Sequence, residues 1–229
     1  MKIILVRHGQ PDYKKDCHCL TELGHLQAEA AAERLKNSGI QKIYSSPLGR
    51  AYETALHTAA KFSLEVEKTD FMREISWASE DGSEILKNGN PWHIVPLFAS
   101  ENRPLNDKEW ESAVPNSLAV TYAKGLIYDE ADKWMESLGY TREGLYYRVG
   151  EKKYDTVAMF SHGGSSTMLL SRIFNLPFIY LCSSVQPDFT AITVIDLSDE
   201  KGTLVAPRFE IVNDTSHTKS ICAENVYGF

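Results

Sequence analysis

Ile3-Ile4-Leu5-Val6 is a short apolar run, mostly β-branched, and it stops abruptly at Arg7-His8-Gly9. A run with no polar alternation reads as a strand buried on both faces, the kind found in parallel sheets covered by helices. The glycine permits a sharp turn and lets backbone amides approach a ligand closely. A guanidinium and an imidazole then stand at the carboxyl end of a central strand, where open α/β sheets place their ligands. The construction recurs at Asp155 to Phe160, which runs into Ser161-His162-Gly163-Gly164-Ser165.

Helical patterns separate the strands. Thr21 suits an N-cap, and the helix it opens carries Leu23, Leu26 and Ala30 on one face and stops at Ser38-Gly39. Gln41 to Ser45 reads as a short strand. Ser46-Pro47 reads as the next helix start, since serine caps and proline is pre-set for the first helical position. Leu48, Tyr52, Ala55, Ala59 and Phe62 fall at helical spacing as its buried face, and Arg50, off that face, points toward the strand ends. Leu64 to Glu67 suggests another strand, from which Asp70 to Glu74 returns to the same rim. A helix after Gly163 runs to Phe174. Ala191 to Leu197 and Leu204 to Val212 are the last strands, read as a hairpin turning at Asp199 to Gly202. Alternating strands and helices predict an α/β fold: a three-layer α/β/α sandwich on a mostly parallel sheet, with right-handed crossovers. Residues 1–229 are read as a single domain with a cap-like insertion at about 76–150. That insertion holds all four tryptophans (Trp77, Trp92, Trp110, Trp134) and a long helix from Ser117 to Leu138.

Lys and Arg number 24 against 31 Asp and Glu, a net charge of −7 over 229 residues. That balance offers no long-range attraction to nucleic acid or an anionic membrane, so any anion must be held by a local cationic pocket. No apolar run approaches the roughly 18 residues that span a bilayer, and the first run meets Arg7 too soon for a signal-peptide core. Cys17, Cys19, Cys182 and Cys222 lack the spacing of a disulfide framework, which predicts reduced thiols and a cytoplasmic protein. Cys17-His18-Cys19 is not a zinc spacing, because no matching Cys/His pair accompanies it. Neither metal nor cofactor is expected.

Arg7, His8, Arg50, His162 and Gly163 are thus delivered to one rim. Two arginines, two histidines, glycine amides and a helix N-terminus form an anion trap: the arginine fork matches phosphate oxygens in pairs, and the helix start offers free N–H donors. A small phosphorylated ligand is the expected partner.

Leu5 to Gln10 resembles the opening motif of the histidine phosphatase superfamily, which includes cofactor-dependent phosphoglycerate mutases. Leu20 to Ala28 is similar to that family's first-helix signature, Ser45 to Ala55 to its second arginine motif, Ser161 to Gly164 to its second histidine motif, and Asn213 to His217 to a tail of its phosphatase members. The matches cover the first 75 residues and about the last 75, in the family's order. The resemblance implies that His8 is the nucleophile that takes the phosphoryl group, with Arg7, Arg50 and His162 binding its oxygens. Glu74, in Phe71-Met-Arg-Glu-Ile75, aligns with the family's general acid, while Glu80 and Asp81 are the alternatives. The implied activity is metal-independent phosphomonoester hydrolysis through phosphohistidine; a phosphoglycerate-type mutase and a non-catalytic phospho-ligand binding module are the competing readings. Where some members place Asn or Ser, this loop carries Pro11, Asp12, Tyr13 and Lys14, and Lys14 is a candidate phosphate contact. In the insertion, Lys87, His93, Arg103 and Arg148 are candidates for a substrate carboxylate or second phosphate.

Overall fold

The computed structural model describes residues 1–13, 18–83 and 91–221. Lys14, Cys17, Lys87 and Cys222 therefore lie outside the described residues.

The strands are β1 (Lys2–Arg7), β2 (Lys42–Ser45), β3 (Val66–Lys68), β4 (Tyr140–Glu143), β5 (Tyr146–Val149), β6 (Thr156–Ser161), β7 (Ile192–Asp196), β8 (Leu204–Val205) and β9 (Arg208–Asp214). Six of them form the central sheet in the order β3-β2-β6-β1-β7-β9. The four from β3 to β1 run parallel, while β7 and β9 are antiparallel additions at one edge. Alternate residues of β1 and β6 feed opposite layers, as the pleat requires. Ile3, Leu5, Val157 and Met159 join the larger apolar cluster, and Ile4, Val6, Ala158 and Phe160 join the smaller one.

The smaller cluster lies under α1 (Glu22–Leu35) and α2 (Gly49–Phe62). Thr21 caps α1 by accepting the Gly24 amide at 3.0 Å. The buried face of α1 is Gly24, Gln27, Ala28, Ala31, Ala32 and Leu35, not the leucine face expected, and Leu26 is 58% exposed. Small residues win that face because α1 packs closely against α2, whose own buried residues are Ala51, Thr54, Ala55, Thr58 and Ala59 beside Arg50. α2 starts at Gly49 with Leu48 in the capping position; Ser46 is drawn elsewhere, as described below.

The larger cluster joins the sheet to most of the segment after Ile75. α3 (Ile94–Ser100), α4 (Asp107–Ala113), α5 (Lys124–Ser137), α6 (Gly163–Phe174) and α7 (Phe178–Ser184) place Phe98, Trp110, Trp134 and Phe178 in one apolar cluster with Leu5 and Met159. The single helix expected from Ser117 is a π-helical turn, Ala119–Ala123, running into α5. The expected last hairpin is divided. β8 pairs with β5 in a separate three-stranded sheet with β4, and only β9 returns to β7. Pro207, which lacks an N–H for a ladder, stands at the break. Among the described residues no helix is long and apolar enough to cross a membrane. The expectation of reduced cysteines fails at Cys19, which is disulfide-bonded, whereas Cys182 is free and buried. A disulfide sulfur is not a thiolate, which also removes Cys19 as a metal ligand.

Candidate active site

Strand register brings the two histidines together. Arg7 pairs with Ser161 across β1 and β6, so the residues that follow, His8 and His162, are neighbours beyond the strand ends. Their ring centroids lie 5.1 Å apart. The turn after β1 is pressed onto the start of α1: a Cβ on Gly9 would lie 2.5 Å from the Gly24 carbonyl oxygen, and one on Gly24 would lie 2.3 Å from that of Gln10. Only glycine fits at both positions. The Gly9 amide donates to Thr54 Oγ1 at 3.0 Å, and Thr54 donates in turn to the Arg50 carbonyl at 2.7 Å, which ties α2 to the turn.

His8 is 1% exposed. Its Nδ1 lies 2.7 Å from the Gly9 carbonyl, an acceptor only, so the proton is assigned to Nδ1. Nε2 keeps its lone pair and accepts from Arg50 Nε at 3.2 Å. Burial, then the charge of Arg7, pulls the imidazole pKa down to about 3, with Arg50 adding a smaller push. His8 is therefore neutral at physiological pH. His162 Nε2 lies 2.8 Å from Ser46 Oγ, which also accepts the Leu48 amide at 3.3 Å. The serine O–H is thus assigned as donor to Nε2, leaving Nδ1–H as a buried donor with no protein partner. Burial, followed by His8 and both arginines, holds the His162 pKa well below its ordinary value. It occupies the capping position of α6 in extended backbone but its side chain caps nothing.

Arg7 donates from Nη1 to the Pro187 carbonyl at 2.5 Å and lies 4.5 Å from the centre of the Phe189 ring, while its buried Nε has no partner. Two buried donors without protein partners, Arg7 Nε and His162 Nδ1, stand among cations, a donor arrangement suited to holding an anion. Phe189 also lies 5.7 Å from the His8 ring. It is placed by Thr190, a β-branched residue at φ 57°, whose amide donates to the His8 carbonyl at 3.2 Å and whose Oγ1 meets His217 Nε2 at 3.1 Å.

Glu74 lines the same cavity of about 520 Å³ as Arg7, His8, Arg50 and Gly163. Its Oε1 accepts the amides of Ile75 at 3.0 Å and Ser165 at 3.3 Å. Burial raises its pKa against those bonds and the pull of both arginines, which favours the neutral acid. Glu80 and Asp81 are exposed and absent from the cavity lining; Asp81 is turned to Ser79 and the Ser83 amide. A larger hollow of about 920 Å³ between β3 and α5 has Glu74 on its margin but none of the histidines or arginines of the rim. Of the candidate insertion cations, Arg103 is bound to Glu109 and stacked on Phe98, and Arg148 is bound to Glu143. Neither they nor His93 line the 520 Å³ cavity.

Ser46, Thr54, Gly24, Phe189 and Thr190 were not singled out as site residues from the sequence. Thr54 was accessible in principle, one helical turn after Arg50; Phe189 and Thr190 lie in a loop with no periodic signal.

The fold and the ordered motifs have counterparts. A relative named 2,3-bisphosphoglycerate-dependent phosphoglycerate mutase, from Thermoplasma acidophilum, is 27% identical over 201 residues, 81% of this chain and 97% of its own. A putative phosphoserine phosphatase 2 of Hydrogenobacter thermophilus is 25% identical over 227 residues, covering 96% and 98%. Among solved structures, a mycobacterial glucosyl-3-phosphoglycerate phosphatase with VO3 superposes with a TM-score of 0.63 at 21% identity, covering 93% of this chain and 98% of that one. An Entamoeba histolytica phosphoserine phosphatase variant with phosphoserine gives 0.62 at 20% identity, covering 94% and 98%. The family model described as histidine phosphatase superfamily (branch 1) matches residues 3–112, the stretch that holds Arg7, His8, Arg50 and Glu74. With those four in order, and a second histidine arriving from β6, the chain is similar to the histidine phosphatase superfamily over the stretch that the family model matches.

Proposed function

We propose that the chain is a phosphomonoester hydrolase that works through phosphohistidine at His8 Nε2 on a small phosphorylated metabolite. The observation that carries the reading is the 2.7 Å approach of His8 Nδ1 to the Gly9 carbonyl, which assigns the tautomer. With Nδ1–H held by the Gly9 carbonyl, the nucleophilic lone pair is on Nε2, among Arg7, Arg50 and His162.

The phosphoryl group sits where Arg7 Nε and His162 Nδ1 gain an acceptor, and the α6 N-terminus adds its positive end. His8 Nε2 attacks phosphorus; the bond to the ester oxygen breaks, and neutral Glu74 gives that oxygen its proton. The cations offset the charge on the transferring group, so no metal is required. Glu74, now a carboxylate, takes a proton from the water that attacks phosphohistidine, and inorganic phosphate leaves with His8 regenerated. Solved structures of similar fold hold phosphoserine and 3-phosphoglyceric acid, which supports a small phosphomonoester as ligand.

The test is hydrolysis of p-nitrophenyl phosphate with and without chelator. Turnover should resist chelator and vanish in His8→Ala; turnover retained in that variant would overturn the mechanism. Conversion of 3-phosphoglycerate to 2-phosphoglycerate with a bisphosphoglycerate primer, at a rate above hydrolysis, would make the enzyme a mutase instead.

A further inference from the structure

Resting on the hydrolase reading, we propose that the leaving-group end of this cavity selects an alcohol bearing a flat, uncharged ring over one bearing a carboxylate. Gly164, in the first turn of α6, borders both Trp77 and Glu74. A Cβ there would lie 2.6 Å from Trp77 Cζ2 and 2.8 Å from Glu74 Oε1, so the indole edge and the carboxyl group abut one point. The ester oxygen that takes the Glu74 proton must come to that carboxyl group, and whatever it carries therefore begins beside Trp77.

Trp77 is fixed. It stacks on Phe178 with 6.1 Å between centroids and 17° between planes, and meets Trp92 at 5.8 Å and 76°. The two indoles make a corner, and both line the cavity, as does Tyr13, whose ring stands edge-on to His18 at 6.0 Å. Two faces at that angle match a planar ring that stacks on one and meets the edge of the other. Gln186, also in the lining, is a neutral hydrogen-bonding group. A carboxylate on the leaving group would instead approach Glu74, and would repel it once the proton had been given up. Arg7 and Arg50 serve the phosphoryl group, while Arg103 and Arg148 are held by Glu109 and Glu143 away from the cavity.

The experiment compares kcat/KM for 2-phenylethyl phosphate and O-phosphoserine. Both release a primary alcohol that needs the same proton from Glu74, so the ratio reads the wall rather than the leaving-group chemistry. A ratio of at least ten in favour of 2-phenylethyl phosphate is expected. Trp92→Ala and Tyr13→Ala should each lower it at least threefold; Tyr13 is 67% exposed, so its removal leaves the core intact even if Trp92→Ala does not fold. A ratio below ten overturns the proposal, as does a ratio that Tyr13→Ala leaves unchanged. Preference for phosphoserine that disappears in Lys14→Ala would also overturn it, assigning carboxylate binding to the loop after Tyr13. Failure of the wild-type protein to hydrolyse p-nitrophenyl phosphate would count against the hydrolase reading itself, separately from the ratio.

Discussion

Glu74→Gln isolates the proton from the shape. Glutamine keeps an oxygen for the Ile75 and Ser165 amides, which Glu74 Oε1 accepts at 3.0 and 3.3 Å. It also resembles the neutral acid that burial favours, so stability should change by less than about 1 kcal/mol. What disappears is the proton for the leaving oxygen. An alkoxide needs that proton and a nitrophenolate does not. General acid catalysis is worth about 10²–10⁴-fold, so alkyl phosphates should lose that much, about 3–5 kcal/mol of barrier. For p-nitrophenyl phosphate the loss of the formation step should stay under about tenfold. The assay is single-turnover phosphoenzyme formation with both substrates, which separates attack on the ester from later attack by water. Glu74→Ala is the contrast: it strands the two amides and should also destabilise, by about 1–3 kcal/mol for each buried donor left unpaired. Equal losses in Glu74→Gln on both substrates would refute the assignment of Glu74 as acid.

Other outcomes follow from the same geometry. The lowered pKa of His8, about 3 against an ordinary 6.5, means the folded state binds fewer protons than the unfolded chain between those values. Its contribution is present above pH 6.5 and lost as pH falls toward 3, up to about 5 kcal/mol, with His162 acting in the same direction. Denaturant titration should show a flatter acid side in a His8→Asn variant; an unchanged slope would contradict a buried neutral His8. Gly164→Ala drives a methyl group against Trp77 and Glu74, and should cost about 1–3 kcal/mol in Tm-derived stability and displace the acid, cutting kcat on alkyl phosphates more than on p-nitrophenyl phosphate. Equal effects on the two substrates would mean that only packing was harmed. Thr190→Gly removes backbone strain of about 1–2 kcal/mol but also the contact with His217. Stability should stay within about 1 kcal/mol while KM rises several-fold as Phe189 loosens over Arg7; an unchanged KM would leave the strained loop without a role in binding.

The rim of arginines and histidines was legible because it is written in strand ends. Ile3 to Val6 and Val157 to Phe160 are unambiguous buried strands, and once they pair in parallel, the residues immediately after them must meet. Thr21 was legible as a cap for the same local reason. Helix faces were less so. The apolar pattern of α1 favours Leu23 and Leu26, whereas the observed face follows how closely two alanine-rich helices approach, which is decided by the partner helix. The division between β8 and β9 depends on which distant edge each can reach, so local alternation read them as one strand. Phe189 and Thr190 take their conformation from His8 and His217. The tryptophan corner needs the indoles of two residues fifteen positions apart to meet with their planes at 76°, which no spacing encodes.

The central claim is a covalent phosphate on His8 Nε2. Mixing the protein with substrate labelled in the phosphoryl group, quenching in alkali and mapping the label tests it directly. The label should be stable to base and labile to acid, located at His8 and absent from His8→Ala. A label stable to acid, a label that persists in His8→Ala, or steady hydrolysis with no label at any time point would contradict it.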